Sequence, residues 1–519
     1  MLNCAAAISY GMKRWLIILL ILVVAVFFRL YRIDSAPPGL YPDEAINGNQ
    51  AIETLETGYY KVFYPENNGR EGLFINLEAF SIAIFGKHTW ALRLVSAIAG
   101  ILTVLGFYFL SKQLFNWQIA AISSFLLAIS FWHVNFSRIA FSGVLVPLFL
   151  VWGFYFFWRG LSSSHSRDFA ISGIFWGLGF YSYIPFRIMP LVLIIALAAY
   201  WYAIKKDFGH EKYEHTRNQI IKGLAAFLVT TILISLPIGY HFYTHPQDFW
   251  GRPGQVSVFS SDNLLKDLAL NTVKTIGMFN FVGDFNWRHN ISGRPMLIWP
   301  VGALFVIGFL RSWIRLFKTR RKHGHFSTVQ TLLLSWFFIG LLPAILSNEG
   351  LPHALRTIAV IPPVFIFAGE GLWWIIDKIG DWYRERDIHE FSFRHRWLKE
   401  SSVAAVLALV VLLIAFTVVE YDKYFNQWAK NPNTAMAFNQ NYVEVGKKLN
   451  SMPREIKKYV LVNTGGVLVN GIPMPAQTVM FVTDTYTPEK QLAKRIFYLT
   501  EEQYNKGEYD KKGIVIPLE

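Results

Sequence analysis

Cysteine occurs once in the 519 residues, at Cys4. No internal disulfide can form, and a cysteine-based metal cluster is excluded. Charge is scarce: 16% of residues are Asp, Glu, Lys or Arg, against about 25% in a soluble domain. A Gly-x-Gly-x-x-Gly turn and a P-loop are both missing, which argues against ATP as a substrate. No H-x-x-x-H or comparable metal-ligand spacing is present. Internal repeats and low-complexity segments are lacking too. What the chain has instead is apolar surface: 53% hydrophobic and 17% aromatic residues, with mean hydropathy +0.32. This is the composition of a polytopic membrane protein.

The net charge of +14 does not point to nucleic acid. Its basic residues gather in short loops between apolar stretches, as orientation signals do. Stretches near the spanning length of about 20 residues fall at 13–31, 90–110, 118–136, 139–158, 169–185, 188–204, 223–240, 296–316, 328–346, 357–377 and 401–419. They predict about eleven transmembrane helices. The hairpins at 136–139 and 185–188 are the least defined boundaries. The first stretch runs into Arg29-Leu-Tyr-Arg-Ile-Asp rather than a small-residue cleavage site, so it reads as a retained helix. Lys13-Arg14, Arg159 and Arg167, the 205–222 lysines and arginines, the 315–322 cluster and the 384–399 cluster then share one side. The positive-inside rule makes that side cytoplasmic.

The opposite face receives the long loops 32–89 and 241–295, the short loop 347–356 and the tail 420–519. The tail alternates polar helical stretches (435–451 and 487–505) with β-like runs at Tyr459–Asn463, Val479–Thr483 and Gly513–Pro517. It reads as a small extracytoplasmic α/β domain following a membrane domain at 1–419.

An acidic pair, Asp43-Glu44, follows the first apolar stretch. Residues 43–58 carry the spacing of a short amphipathic helix, with Ala45, Gly48, Ala51, Ile52 and Leu55 near one face and Gly58 as its stop. Asp43 could simply cap this helix. A cap does not need two acids, however, and adjacent helical side chains diverge by roughly 100°. One carboxylate can then enter a cavity while the other serves the cap or a ligand. Further along lie Arg70 and Glu71, before an apolar segment from Leu73 that suits the membrane surface. Arg70 is a candidate phosphate contact, because a guanidinium grips phosphate bidentately; an arginine on lipid headgroups explains it equally well.

Four more polar clusters map to the same face: His133, Asn135 and Arg138; Tyr181, Tyr183 and Arg187; Asp284 with Asn286 to Asn290, including Arg288 and His289; and His353 with Arg356. Each alone fits an interfacial anchor. Together they suit chemistry on a lipid-linked phosphate, with cations on the phosphate and an acid free to act as base. Asp43, Glu44 and a histidine also offer donors to a divalent ion, so a metal cofactor stays open with no ligand set assigned.

These features resemble the GT-C glycosyltransferases. Within them, the chain is most similar to the bacterial branch related to protein O-mannosyltransferases and lipid A aminoarabinose transferases. The resemblance rests on the Asp-Glu pair after helix one, the many spans and the extracytoplasmic tail. Gly179–Arg187, Asn286–Asn290 with Gly293–Pro295, and Pro352–Arg356 look like recurring segments of that branch, over roughly residues 10–420. It implies an all-α membrane bundle and a sugar donor on a polyprenyl phosphate. It implies, too, an inverting transfer to a lipid, glycan or protein hydroxyl, on the outer face of the bacterial inner membrane. Asp43 matches the family's catalytic base, and Glu44 would assist it or orient the acceptor. Arg70 falls where relatives carry a basic residue, commonly in a Lys-Pro-Pro-like segment, from which Arg70-Glu71-Gly72 departs. With the polar clusters on the same face, Arg70, Glu71, Arg138, Tyr183, Arg187, Arg288, His289, His353 and Arg356 are the donor- and phosphate-site candidates. The absence of Trp-Trp-Asp-Tyr-Gly argues against an oligosaccharyltransferase of the N-glycosylation type. A flippase of lipid-linked sugars would show repeat symmetry and midplane charges, whereas the apolar stretches here are nearly free of charge. A polymerase or ligase of lipid-linked glycans is a third reading.

Overall fold

The computed structural model describes residues 2–319, 324–386 and 394–518. Helices occupy all eleven apolar stretches. They are α1 (Leu2–Leu30), α4 (Thr89–Leu114), α5 (Trp117–Ile129) with α6 (Phe131–Phe136), α7 (Leu145–Ser163), α8 (Ser166–Gly179), α9 (Pro190–Asp207), α10 (His210–Thr244), α13 (Trp299–Thr319), α14 (Gly324–Ile345), α15 (Ile361–Arg386) and α16 (Arg394–Tyr421). Among the described residues, seven helices are long and apolar enough to cross a membrane. The stretch 118–136 is not one continuous span. Ser130 takes an extended ψ of 125° and breaks it into α5 and the buried turn α6.

The lipid requirement is plainest on α10. Its apolar window is only 17% covered by the rest of the protein, and Leu228, Ile232, Leu233 and Leu236 are all more than half exposed. Such a face is stable only in an apolar solvent. The chain is therefore a multi-pass membrane protein. The other side of α10 packs on α8 through Gly173 and Gly177. A Cβ on Gly173 would stand 2.0 Å from the Thr230 hydroxyl, and one on Gly177 2.6 Å from Ile234. This is close helix packing through small residues, as their spacing suggests. The spans do carry buried charge: Arg93 lies in α4, and Glu370 in α15 pairs with Arg315 of α13.

The loop 32–89 folds into α2 (Pro42–Thr57), a two-residue β-pair, β1 (Phe63–Tyr64) with β2 (Arg70–Glu71), and α3 (Leu73–Phe85). Pro42 opens α2, where its missing N–H costs nothing. Gly58 closes it with φ +69°, and its N–H bonds to Thr54 O. Helix α3 leaves Phe80, Ile84 and Phe85 exposed, as an interfacial helix does. The loop 241–295 contributes α11 (Pro246–Gln255) and α12 (Leu264–Gly277).

Beyond α16 a π-type turn, Asp422–Trp428, buries Tyr424 and Trp428 against Phe131. Next come α17 (Pro432–Ala437) and α18 (Gln440–Ser451), then β3 (Lys458–Val462) and the short antiparallel pair β4 (Leu468–Val469) and β5 (Ile472–Pro473). The chain ends in α19 (Ala476–Thr483), α20 (Pro488–Lys494), β6 (Ile496–Thr500), α21 (Glu501–Asn505) and β7 (Ile514–Leu518). β3 is the central strand, parallel to both β6 and β7.

Two expectations for the tail fail. Residues 479–483 are helical within α19, not a strand, because both faces of the segment are apolar. Ala476, Val479 and Met480 join the tail core while Phe481 joins the membrane-domain core. Conversely, 496–500 is strand β6 inside the stretch expected as helix. Its pairing with β3 and the burial of Ile496 and Tyr498 outweigh local propensity.

α19 lies directly on α2. Gly48 makes this possible, since a Cβ there would meet Phe481 at 2.6 Å and Leu92 at 2.8 Å. Asn49 Nδ2 donates to Gln477 Oε1 at 2.8 Å, and the Thr478 hydroxyl donates to Leu40 O at 2.9 Å. Gly48→Leu is expected to cost about 1–3 kcal/mol by overpacking and to free the tail. Limited proteolysis will show this as faster release of the 430–519 fragment.

Candidate active site

The acidic pair divides as a helix start requires. Glu44 points inward and is fully buried. Its carboxylate accepts from Arg93 Nε at 3.0 Å and Nη2 at 3.2 Å, from Ala140 N at 3.0 Å, and from Tyr41 N at 3.2 Å. Arg93 in turn donates to Pro37 O and Gly39 O at 2.7 and 2.9 Å. Glu44, not Asp43, thus caps α2, and its oxygens have no remaining capacity for a substrate. This corrects the reading of Glu44 as a catalytic group.

Asp43 faces the other way. It is half-buried and accepts one hydrogen bond, from Asn67 Nδ2 at 2.9 Å. Arg70 lies within electrostatic reach of it. The Arg70 terminal nitrogens are held by Asn47 Oδ1 and by Gln50 Oε1, while its Nε has no partner. On the second side stands Tyr41, whose phenol is pushed up to about 12 by burial and by the Asp43 charge. The Arg288 guanidinium sits 4.0 Å over the Tyr41 ring. Asp43, Arg70, Tyr41 and Arg288 therefore come from two loops far apart in sequence and meet at one mouth.

Most other candidates are tied up internally. The buried Arg138 donates to the carbonyls of Phe28, Tyr31 and Ala36 at 2.7–3.0 Å and stacks on Tyr424 and Phe425. It clamps the end of α1 and is not available to a donor phosphate. Arg187 pairs with Glu71 at 2.9 Å, donates to Phe249 O, and stacks on Phe242 and Phe249. Glu71 and Arg187 thus join the 70–71 turn to α11. Arg356 is spent on Ser347 and on the Glu349 carbonyl and carboxylate. Tyr183 lies near Arg356, Arg252 and Glu71. The expected single convergence of cations is in fact Arg70 and Arg288 near Asp43 and Tyr41, and several internal clamps.

His289 and His353 form a second grouping. His289 Nδ1 is 2.8 Å from Asp284 Oδ2, and the two imidazoles are 4.9 Å apart between centroids. Burial alone would raise the Asp284 carboxyl. The hydrogen bonds that it accepts from His289 and from the Ala354 N–H outweigh it and hold the group below its usual range. Burial also drives His353 well below the ordinary histidine value, so it is neutral. Among the described residues, the acidic and histidine side chains gathered at metal-ligand distances are Asp284, His289 and His353, without Asp43 or Glu44.

Two residues escaped the sequence reading. Arg93 is the buried partner of Glu44, and its signal was a lone cation inside an apolar run. Glu78 of α3 is fully buried with neither oxygen partnered. Burial and the Glu44 charge push it well above the usual carboxyl range, so it is a neutral acid beside Arg70.

Solved structures share this architecture. The archaeal oligosaccharyltransferase AglB of Archaeoglobus fulgidus, in complex with an inhibitory peptide and a dolichol-phosphate, superposes with a TM-score of 0.55 at 13% identity. The match covers 91% of this chain and 64% of AglB. ArnT of Cupriavidus metallidurans, bound to undecaprenyl phosphate, matches with a TM-score of 0.50 at 13% identity over 98% of this chain and 93% of that one. The chain has the GT-C fold. At these identities the likeness establishes the fold alone. Within the GT-C chain, residues 74–235 match the family described as dolichyl-phosphate-mannose-protein mannosyltransferase. A curated relative, the putative mannosyltransferase YkcB of Bacillus subtilis, is 24% identical over 202 residues. That is 37% of this chain and only 27% of YkcB.

Proposed function

We propose that this chain is an integral-membrane glycosyltransferase that moves a sugar from a polyprenyl-phosphate donor to an acceptor hydroxyl on the outer face of the bacterial inner membrane. The observation that carries the reading is the split of the acidic pair. Glu44 is locked by four hydrogen bonds from Arg93, Ala140 and Tyr41, while Asp43 is held at the mouth by Asn67 alone. Asp43 takes the proton from the acceptor hydroxyl. The oxygen then attacks the anomeric carbon, and the polyprenyl phosphate leaves with the bonding electrons. Negative charge grows on that phosphate, and guanidiniums placed beforehand stabilise it. Arg70 lies within electrostatic reach of Asp43 and Arg288 lies over the neighbouring Tyr41, so both are suited to this.

The fold match to proteins solved with undecaprenyl phosphate or dolichol-phosphate supports a lipid-phosphate donor, and the mannosyltransferase-family match supports sugar transfer. The acceptor is a lipid, glycan or protein hydroxyl, reached from the face that carries the tail. Transfer of labelled sugar from a panel of polyprenyl-phosphate donors, in membranes with and without the protein, tests the reading. Label passing to an acceptor only with the protein supports it. Movement of lipid-linked sugar across vesicles without transfer overturns it in favour of a flippase.

Arg70→Ala is expected to lower kcat by about a hundredfold, the usual effect of losing one charge-stabilising donor. Arg70→Lys should recover only part, because an ammonium lacks the planar fork. Initial rates at saturating donor will check both variants.

A further inference from the structure

We propose that Asp284, His289 and His353 form a site for a divalent transition metal of the zinc class, separate from the Asp43 mouth. Each offers one ligand atom, and the three atoms lie within 4.8 Å of one another. They reach the site from two loops, one before α13 and one before α15. The Asp284 carboxylate ties these loops together: Oδ1 accepts from Asn286 N and Oδ2 from Ala354 N, each at 2.8 Å. Asp284 and His289 are both buried, at 2% and 4% exposure. The His289 ring is steadied by Phe136, with centroids 5.5 Å apart.

The donor chemistry selects the metal. Two imidazoles and a carboxylate suit zinc and its neighbours, which accept three protein ligands and keep a fourth position for water or substrate. Calcium and magnesium prefer all-oxygen shells and are disfavoured. Two arginines stand near the cluster, yet both are otherwise engaged. Arg288 lies over Tyr41, and Arg356 is paired with Glu349. His353 itself receives only a long 3.3 Å contact from Arg356 N, which an ion could displace at little cost.

A bound ion would fix His289, and with it the neighbouring Arg288 over Tyr41. Its place in the molecule is thus a tie between two outer loops beside the reaction mouth. The inference does not depend on the transfer reaction, and its test reads metal directly.

The full-length protein, purified in detergent, is stripped with a chelator, dialysed against Zn2+ or Co2+, and assayed for metal by mass spectrometry and visible absorption. An equimolar ion is expected in the wild type and in Asp43→Asn. His289→Ala and His353→Ala should retain at least tenfold less. His353→Cys should retain metal, with a thiolate-to-Co2+ charge-transfer band absent from the wild type. A wild type with no bound metal overturns the site, as do alanine variants that retain the full amount or an Asp43→Asn protein that loses it. If the alanine variants do not fold, the zinc-dependent rise in the wild-type melting temperature decides: a rise that His353→Cys shares supports the site, and no rise overturns it.

Discussion

Asp43→Asn lowers sugar transfer by about a hundredfold or more, the expected loss for a general base, and leaves the fold intact. Both halves of this outcome follow from position. Asp43 is half-buried and accepts a single hydrogen bond from Asn67, which an asparagine oxygen accepts equally well. The variant should therefore elute and melt as the wild type does while it fails to remove a proton. Transfer rates in membranes with matched expression provide the measurement. Activity that survives the substitution moves the base elsewhere.

Breaking the buried pair gives the opposite signature. Glu44→Ala leaves Arg93 as an uncompensated buried charge, and Arg93→Leu does the same to Glu44. Each is expected to destabilise the protein by about 3–5 kcal/mol, seen as a lower melting temperature in detergent and a loss of protein from the membrane. The double variant Glu44→Leu/Arg93→Leu removes both charges and should recover part of the stability. The recovery will be incomplete, since Arg93 also satisfies the carbonyls of Pro37 and Gly39. Transfer falls with these variants too, but in proportion to folded protein. A Glu44→Ala protein that melts normally yet transfers nothing would contradict this and restore Glu44 to the chemistry. Two adjacent carboxylates are thereby told apart by two readouts.

The membrane architecture was legible because it rests on long-range averages. Apolar length marks a candidate span: helices fill every stretch so marked, and among the described residues seven are long and apolar enough to cross a membrane. Boundaries were less legible where the apolar signal is continuous. Nothing in Leu126–Phe136 announces the extended backbone at Ser130, because the residues on both sides are apolar and buried. The same ambiguity turned 479–483 into an expected strand, since short apolar runs fit either element. Strand β6 was hidden for a different reason: only its pairing with β3 makes that segment extended.

The start of α2 shows where local sequence suffices. Tyr41-Pro42-Asp43-Glu44 carries a helix start, and Gly58 its end, because caps depend on neighbours a few residues away. That pattern, the apolar helices and an acid pair just after helix one were determined by the sequence itself. It did not determine which acid faces the mouth. That choice rests on Arg93, 49 positions away along the chain, and on Ala140, whose N–H reaches Glu44 across the bundle. Likewise Arg138 and Arg187 read as phosphate ligands until their carbonyl and carboxylate partners are known. Asp284 meets His353 only because two loops converge between α13 and α15. Local pattern fixes what a backbone segment can do. The partner that neutralises a buried charge comes from elsewhere in the chain, and only tertiary packing decides which charges are left for a ligand.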